Sequence, residues 1–164
     1  MQKITTCLWF DHQAEEAANF YTSLFDNSRI VEVQRYTEAM PDRAGQVMLV
    51  VFELAGQRFM ALNGGPEFTL TEAASLHVDC ADQKEVDELW TRLTDGGQES
   101  QCGWLKDRFG LSRQIIPRQL TELLNDPDPA RATRATQACS AWQDRRTGTA
   151  GGRRTLTASD RPRR

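Results

Sequence analysis

The sequence predicts an α+β chain built from two successive βαβββ modules forming curved mixed sheets, followed by C-terminal helices and a basic tail. Three observations predict it. Short β-branched and aromatic runs alternate with two stretches of helical period. The order strand, helix, strands occurs twice along the chain. A shift of 69 positions lays Phe20, Tyr21 and Leu24 over Leu89, Trp90 and Leu93, with Ala17 over Val86, the weak self-similarity expected of a repeated unit.

The elements follow in order. Ile4–Phe10 is β-branched and aromatic and reads as a strand. Asp11-His12 then offers N-cap chemistry to a helix over Gln13–Phe25, where Ala14, Ala17, Ala18, Tyr21, Leu24 and Phe25 recur at i, i+3, i+4, i+7. Arg29–Thr37 alternates as a half-buried strand, and Glu38–Gln46, with Pro41 and Gly45, reads as a loop. Val47–Leu54 and Arg58–Asn63 are strands around a hairpin turn at Ala55-Gly56-Gln57, and Glu53 is expected to pair with Arg58 across it. Gly64-Gly65-Pro66 ends the module.

The second module opens with a strand at Ala74–Cys80 and a capping box, Asp82-Gln83-Lys84-Glu85, whose side chains satisfy the free amides of a helix start. Val86, Leu89, Trp90 and Leu93 line one helix face, and Gly96-Gly97 stops the helix because glycine enters the left-handed cap position at little cost. Glu99–Leu105 and Leu111–Ile116 are expected strands around a turn at Asp107–Gly110. A short helix through Leu120, Leu123 and Leu124 follows Pro117, Asp126-Pro127-Asp128-Pro129 breaks it, and Ala130–Ala138 starts another. The expected organisation is one domain over residues 1–138, with module 1 over about 1–66, module 2 over about 72–117 and C-terminal helices over 118–138, then a separate tail over 139–164.

Charge divides the chain at the same place. Residues 1–130 carry 21 acidic and 11 basic side chains, whereas residues 131–164 carry 9 arginines and only Asp144 and Asp160. An acidic body does not offer the basic face that nucleic acid requires. No apolar run reaches the ~20 residues that span a bilayer, and the stretch ending at Phe10 is too short for a signal peptide, so a cytoplasmic protein is expected. The four cysteines, Cys7, Cys80, Cys102 and Cys139, form no CxxC pair, which argues against a structural zinc site and for small apolar core residues at Cys7 and Cys80.

Four strings carry a resemblance. They are Phe52-Glu53-Leu54-Ala55-Gly56-Gln57-Arg58-Phe59-Met60-Ala61-Leu62-Asn63-Gly64-Gly65-Pro66, Gln101-Cys102-Gly103-Trp104-Leu105-Lys106-Asp107-Arg108-Phe109-Gly110-Leu111-Ser112, Gln114-Ile115-Ile116-Pro117, and Leu123-Leu124-Asn125-Asp126-Pro127-Asp128-Pro129. In that order they are similar to the PhnB-like subgroup of the vicinal oxygen chelate (glyoxalase and bleomycin-resistance) superfamily, often labelled demethylubiquinone 3-methyltransferase-like. The resemblance covers residues 2 to about 138 and departs at Arg113, where the subgroup carries Trp. It implies a glyoxalase-like fold, a homodimer and a ligand cavity inside each curved sheet. It does not imply methyl transfer, because Asn63-Gly64-Gly65-Pro66 follows a strand without opening the helix of a cofactor-binding glycine turn.

Metal-using relatives draw ligands from the first and last strands of each module. Here those positions fall on Thr5, on Met60 or Asn63, on Ser75 and on Gln114, a poor set for metals that favour imidazole and carboxylate. No metal and no cofactor is therefore expected. The expected ligand pocket draws on Trp9, Phe59, His77, Trp104, Arg113 and Gln114, with Arg113 as the group for an anion and His77 as the candidate general base. His12 reads as helix-entry chemistry, and Cys102 lacks a base to activate it. Three functions compete: a binder of a small organic ligand, an enzyme polarising a carbonyl or aromatic substrate through His77, Gln114 or Arg113, and an interaction module using the Arg-rich tail on polyanions. From about Cys139 onward, the Arg-, Thr-, Gly- and Ala-rich composition reads either as a disordered basic tail or as a GC-rich gene translated out of frame.

Overall fold

A computed structural model describes residues 3–144, and side chains through residue 137. The chain divides into two compact units: one of residues Met1–Ala74 with Asp107–Ser112, the other of Ser75–Lys106 with the chain from Arg113 onward.

The first unit is β1 (Thr6–Phe10), α1 (Ala14–Thr22), β2 (Arg29–Arg35), β3 (Val47–Leu54) and β4 (Gln57–Asn63). Its sheet has the order β1-β4-β3-β2. β1 runs parallel to β4, with Cys7 beside Met60 and Trp9 beside Leu62, and β3 pairs antiparallel with β4 and with β2. Alternation in the strands sorts side chains onto two faces. Leu8, Phe10, Val50, Phe52, Leu54, Phe59 and Ala61 are buried on one, against Ala14, Ala17, Ala18 and Tyr21 of α1. The Phe52 and Phe59 rings stack at 5.6 Å. Full burial of such a side chain contributes about 1.5–3 kcal/mol, so this layer dominates the unit's stability. The segment Asp107–Ser112 closes on α1: the Phe109 ring meets Tyr21 edge-on at 5.8 Å, and the Arg108 guanidinium lies 4.2 Å over Phe20.

Helix α1 starts differently from expectation. Its N-cap is Gln13, which makes no side-chain capping bond, and Asp11 and His12 lie against each other at 3.1 Å. The first helical amide, that of Ala14, instead donates to Asn63 Oδ1 on β4 at 2.8 Å, while Asn63 Nδ2 donates to the Val47 carbonyl. A strand therefore caps the helix, a partner 49 residues away that no local pattern announces. The helix also stops at Thr22 rather than Phe25, where Thr22 and Ser23 hydroxyls bond back to the last carbonyls.

The second unit is β5 (Ser75–Cys80), α2 (Gln83–Thr94), β6 (Gln98–Glu99), β7 (Trp104–Lys106), β8 (Ser112–Pro117), α3 (Arg118–Leu124) and α4 (Pro129–Asp144), with sheet order β5-β8-β7-β6. The capping box forms as expected: the Glu85 amide donates to Asp82 Oδ1 at 2.9 Å, and the Ala81 amide donates to Glu85 Oε2 at 2.7 Å. Val86, Leu89 and Leu93 of α2 are buried with Cys80, Leu105 and Ile115. The single strand expected over Glu99–Leu105 is two strands. Cys102 and Gly103 both take positive φ, 49° and 79°, and turn the chain between β6 and β7. A Cβ at Gly103 would sit 2.8 Å from the Ile115 carbonyl oxygen, so only glycine fits against β8 there. This division gives the second unit the same strand order as the first.

Two further expectations meet the structure here. Helix α4 passes Cys139 and continues to Asp144, so the composition change at 139 is not an end of secondary structure; residues 145–164, where the tail reading falls, lie outside the described residues. Among the described residues no helix is long and apolar enough to cross a membrane.

Candidate functional site

Each sheet has a face turned away from its helix. In the first unit Cys7, Trp9, Leu49, Val51, Met60 and Leu62 occupy it, all half-buried except the exposed Cys7. Partial desolvation against the sheet raises the Cys7 thiol above its ordinary pKa. Trp9 is fixed in place: its indole N–H donates to the Gly65 carbonyl at 2.8 Å, and its ring meets Phe68 edge-on at 5.0 Å. A Cβ on Gly64 would come within 2.2 Å of that ring, so Gly64 is small because the indole lies against it. Tyr36 closes the same end of the sheet, donating its hydroxyl to the Asn63 carbonyl at 3.0 Å. This face is an aromatic and aliphatic surface.

The corresponding face of the second unit is polar. Ser75, His77 and Asp79 alternate along β5, and Gln114 Nε2 donates to Ser75 Oγ at 3.0 Å from the neighbouring β8. Backbone bonds from the Asp107 amide to the Leu111 carbonyl and from the Ile115 amide to the Gly103 carbonyl set the β7–β8 register. That register places Trp104 opposite Gln114. Hydroxyl, amide and indole thus form one row across three adjacent strands, with exposed His77 two residues along β5 from Ser75. At the far end Arg118 Nε donates to Asp79 Oδ2 at 3.0 Å, a contact that raises the Arg118 pKa further.

The six residues expected to line a pocket are distributed as follows. Trp104, Gln114 and His77 share the polar face of the second unit, and Trp9 stands on the apolar face of the first. Phe59 does not reach that face: it is 3% exposed and stacked in the core beneath α1, because Thr6, Leu8 and Phe10 of β1 share its parity. Arg113 is fully buried and, as the immediate neighbour of Gln114 in one strand, points to the opposite face with Ile115. An anion held by Arg113 and a group held by Gln114 cannot occupy the same side of the sheet. Sequence reading misses Ser75 as the partner of Gln114 and Asn63 as the cap of α1; the first contact joins two strands 39 residues apart, the second a strand and a helix 49 residues apart.

The residues at the ligand positions of metal-using relatives do not fit a metal. Asn63 spends its amide on the Ala14 amide and the Val47 carbonyl, Met60 offers a thioether, and Ser75 and Gln114 are bound to each other. Among the described residues no three His, Cys, Asp or Glu side chains come together to hold an ion. Cys80 offers no thiolate either, since burial and the nearby Glu85, Asp79 and Asp82 push its thiol up to about 12.

The model of the 3-demethylubiquinone-9 3-methyltransferase family matches residues 2–116. The chain belongs to this family. It is the PhnB-like branch of the vicinal oxygen chelate superfamily, and the two four-stranded mixed sheets with their helices are consistent with that superfamily's βαβββ modules. The chain is similar to a putative 3-demethylubiquinone-9 3-methyltransferase, PhnB protein, from Bacillus cereus, with 41% identity over 71% of this chain and 99% of that one and a TM-score of 0.64. A Staphylococcus aureus protein is 35% identical over 70% of this chain and 94% of that one, with a TM-score of 0.33. The protein PA1353 from Pseudomonas aeruginosa, at 17% identity, 71% and 98% coverage and a TM-score of 0.58, shares the fold. None of the curated proteins matches. Methyltransferase is the family's name; in this member Gly64-Gly65-Pro66 leads through a loop to β5 and opens no helix.

Proposed function

We propose that this chain binds a small organic molecule on the sheet faces turned away from its helices, without a catalytic metal, as a cytoplasmic homodimer. The observation that carries the reading is the Gln114–Ser75 hydrogen bond. It puts a neutral amide and a hydroxyl where metal-using relatives hold their ion, so a ligand is met by hydrogen bonds and aromatic surface rather than by a Lewis acid. The homodimer is supported by the outer strands β1, β2, β5 and β6, whose edges invite pairing. The free thiols Cys7, Cys80 and Cys102 suit a reducing compartment.

An enzymatic reading has one observation in its favour. His77 lies exposed on the same face as Ser75, Gln114 and Trp104, where an imidazole serves as a proton acceptor beside a bound carbonyl. A thermal-shift screen of the full chain against aromatic, carbonyl and anionic small molecules, with elemental analysis of the purified protein, tests the proposal. A ligand present at about 100 times its Kd stabilises the fold by about 2.7 kcal/mol, a shift of several degrees. Stoichiometric zinc, nickel or manganese held by the sheet residues, or no stabilising compound in any class, overturns it. Turnover of a hit that is lost in His77→Gln while binding persists moves the conclusion to the enzyme.

A further inference from the structure

We propose that Lys106, Gln114 and Trp104 on the polar face of the second unit bind an aromatic carboxylate. Its oxygens are shared between the Lys106 ammonium and the Gln114 amide, and its ring lies against the Trp104 indole. This inference rests on the small-molecule reading above and names the ligand class for that face. Three facts carry it.

First, one register puts the three side chains on one face. The β7–β8 backbone bonds set Trp104 opposite Gln114, and Lys106, two residues along β7, shares the face of Trp104. Lys106 is therefore diagonal to Gln114. Diagonal neighbours across a ladder stand about 7–8 Å apart, within reach of long side chains, so one carboxylate can meet both. Second, the donors are in place. Gln114 Nε2 donates one hydrogen to Ser75 Oγ at 3.0 Å, which orients the half-buried amide and leaves its other N–H to donate. The Lys106 ammonium carries three N–H donors, so it serves a ligand oxygen alongside any other acceptor.

Third, the charge of this face suits an anion. Strands β5 to β8 carry two acids, Asp79 and Glu99. Asp79 is ion-paired with Arg118 at 3.0 Å. Glu99 turns to the helix side, where it accepts from the Trp90 indole of α2 at 2.7 Å. Lys106 is paired across the ladder with the uncharged Gln98 of β6. A half-buried ammonium has given up part of its hydration. A carboxylate restores it through a charge-assisted hydrogen bond, about twice as strong as one to a neutral carbonyl. Half-buried Trp104, beside the amide, supplies the flat surface that an aromatic ring covers.

The test compares benzoate, benzamide and cyclohexanecarboxylate binding to the full-length protein, followed by NMR at the Gln114 side-chain amide and the Trp104 indole N–H. Benzoate is expected to bind about ten-fold tighter than benzamide, its neutral counterpart, and tighter than the non-planar acid, with both signals moving. Added salt weakens benzoate binding and leaves benzamide unchanged. Lys106→Gln, which keeps a donor and removes the charge, lowers benzoate affinity about ten-fold but not that of benzamide, and Lys106→Arg retains it. Gln114→Glu sets a like charge beside the ligand and lowers benzoate affinity by about the same factor. Trp104→Leu removes the preference for the flat ring. Benzamide binding as tightly as benzoate, an equal loss of both in Lys106→Gln, or shifts confined to other residues overturns this inference and leaves the small-molecule reading standing. So does failure of all three probes when the wider screen yields a ligand. Failure of every compound in the wider screen overturns the reading beneath it. Should the Lys106 variants not fold, the wild-type salt dependence and signal map decide the matter.

Discussion

The two units share a strand order and differ in how they were made stable. In the first, strands of five to eight residues build an apolar layer on α1, and the helix start depends on Asn63 from the last strand. In the second, β6 and β7 have two and three residues, and α2 carries its own cap in Asp82 and Glu85. The faces away from the helices differ in the same sense, apolar around Trp9 and polar around Gln114. A duplicated topology therefore constrains backbone pairing and helix packing, while the face it leaves over is free to change chemistry.

The largest expected effect lies at the junction that locks the first unit's aromatic face. Gly64→Ala puts a Cβ 2.2 Å from the Trp9 ring, and that contact involves the body of an indole pinned by the Gly65 carbonyl, with no flexible end to yield. Moving the ring breaks its hydrogen bond and its contact with Phe68. Overpacking of this kind costs about 3 kcal/mol, read as a fall in the urea midpoint with unchanged slope. Gly110→Ala, with nothing within 4 Å of the new Cβ but a φ of 87°, is the control in which backbone strain acts without a clash. Equal midpoints for Gly64→Ala and wild type would show that Trp9 is not held where the structure has it.

Next in size is the contrast between the two helix caps. Loss of a side-chain cap costs about 0.5–2 kcal/mol. Asp82→Ala removes a bond within one turn of α2, so hydrogen exchange is expected to rise only in the first turn of that helix. Asn63→Ala removes the Ala14 cap and the Val47 bond at once, tying α1, β3 and β4 together, so exchange rises across the first unit and the urea midpoint falls further than for Asp82→Ala. Local protection loss in both variants would mean that Asn63 serves α1 alone.

That contrast also explains what was legible in the sequence. The capping box, the heptad-like apolar spacing of α2 and the hairpin around Gly56 are local patterns, and each appears where its residues put it. The Asn63 cap and the Ser75 anchor are pairings across 49 and 39 residues, and neither residue type signals its partner by spacing. Arg113 and Phe59 take the helix-facing side of their sheets for a related reason. Strand alternation fixes which neighbours share a face, but only the burial of Leu105 and Ile115 says which face meets α2. The turn at Cys102-Gly103 was legible in principle, because a glycine inside a seven-residue strand is a signal for a break.

The smallest effect concerns the charged end of the first sheet, which has no equivalent of the same reach among the described residues of the second. Glu53 on β3 accepts from Arg58 on β4 through one oxygen and from Arg29 on β2 through the other, each at 2.9 Å, so one carboxylate bridges three strands. In the second unit Asp79 holds Arg118 at 3.0 Å. The hydrogen bond from Arg58, then the charge of Arg29, hold the Glu53 carboxyl below its ordinary pKa. A folded-state pKa that is lowered stabilises above the unfolded value, and the stabilisation is lost as pH falls through the folded value. Glu53→Gln is therefore expected to lower the urea midpoint slightly at pH 7, and the gap from wild type should close as pH falls below the ordinary carboxylate range. Because both arginines are exposed to solvent and screened by it, added salt should also narrow the gap at pH 7. A gap that persists unchanged in acid would assign the role of Glu53 to packing across β2, β3 and β4, and would remove charge from the account of how the first sheet holds its edge.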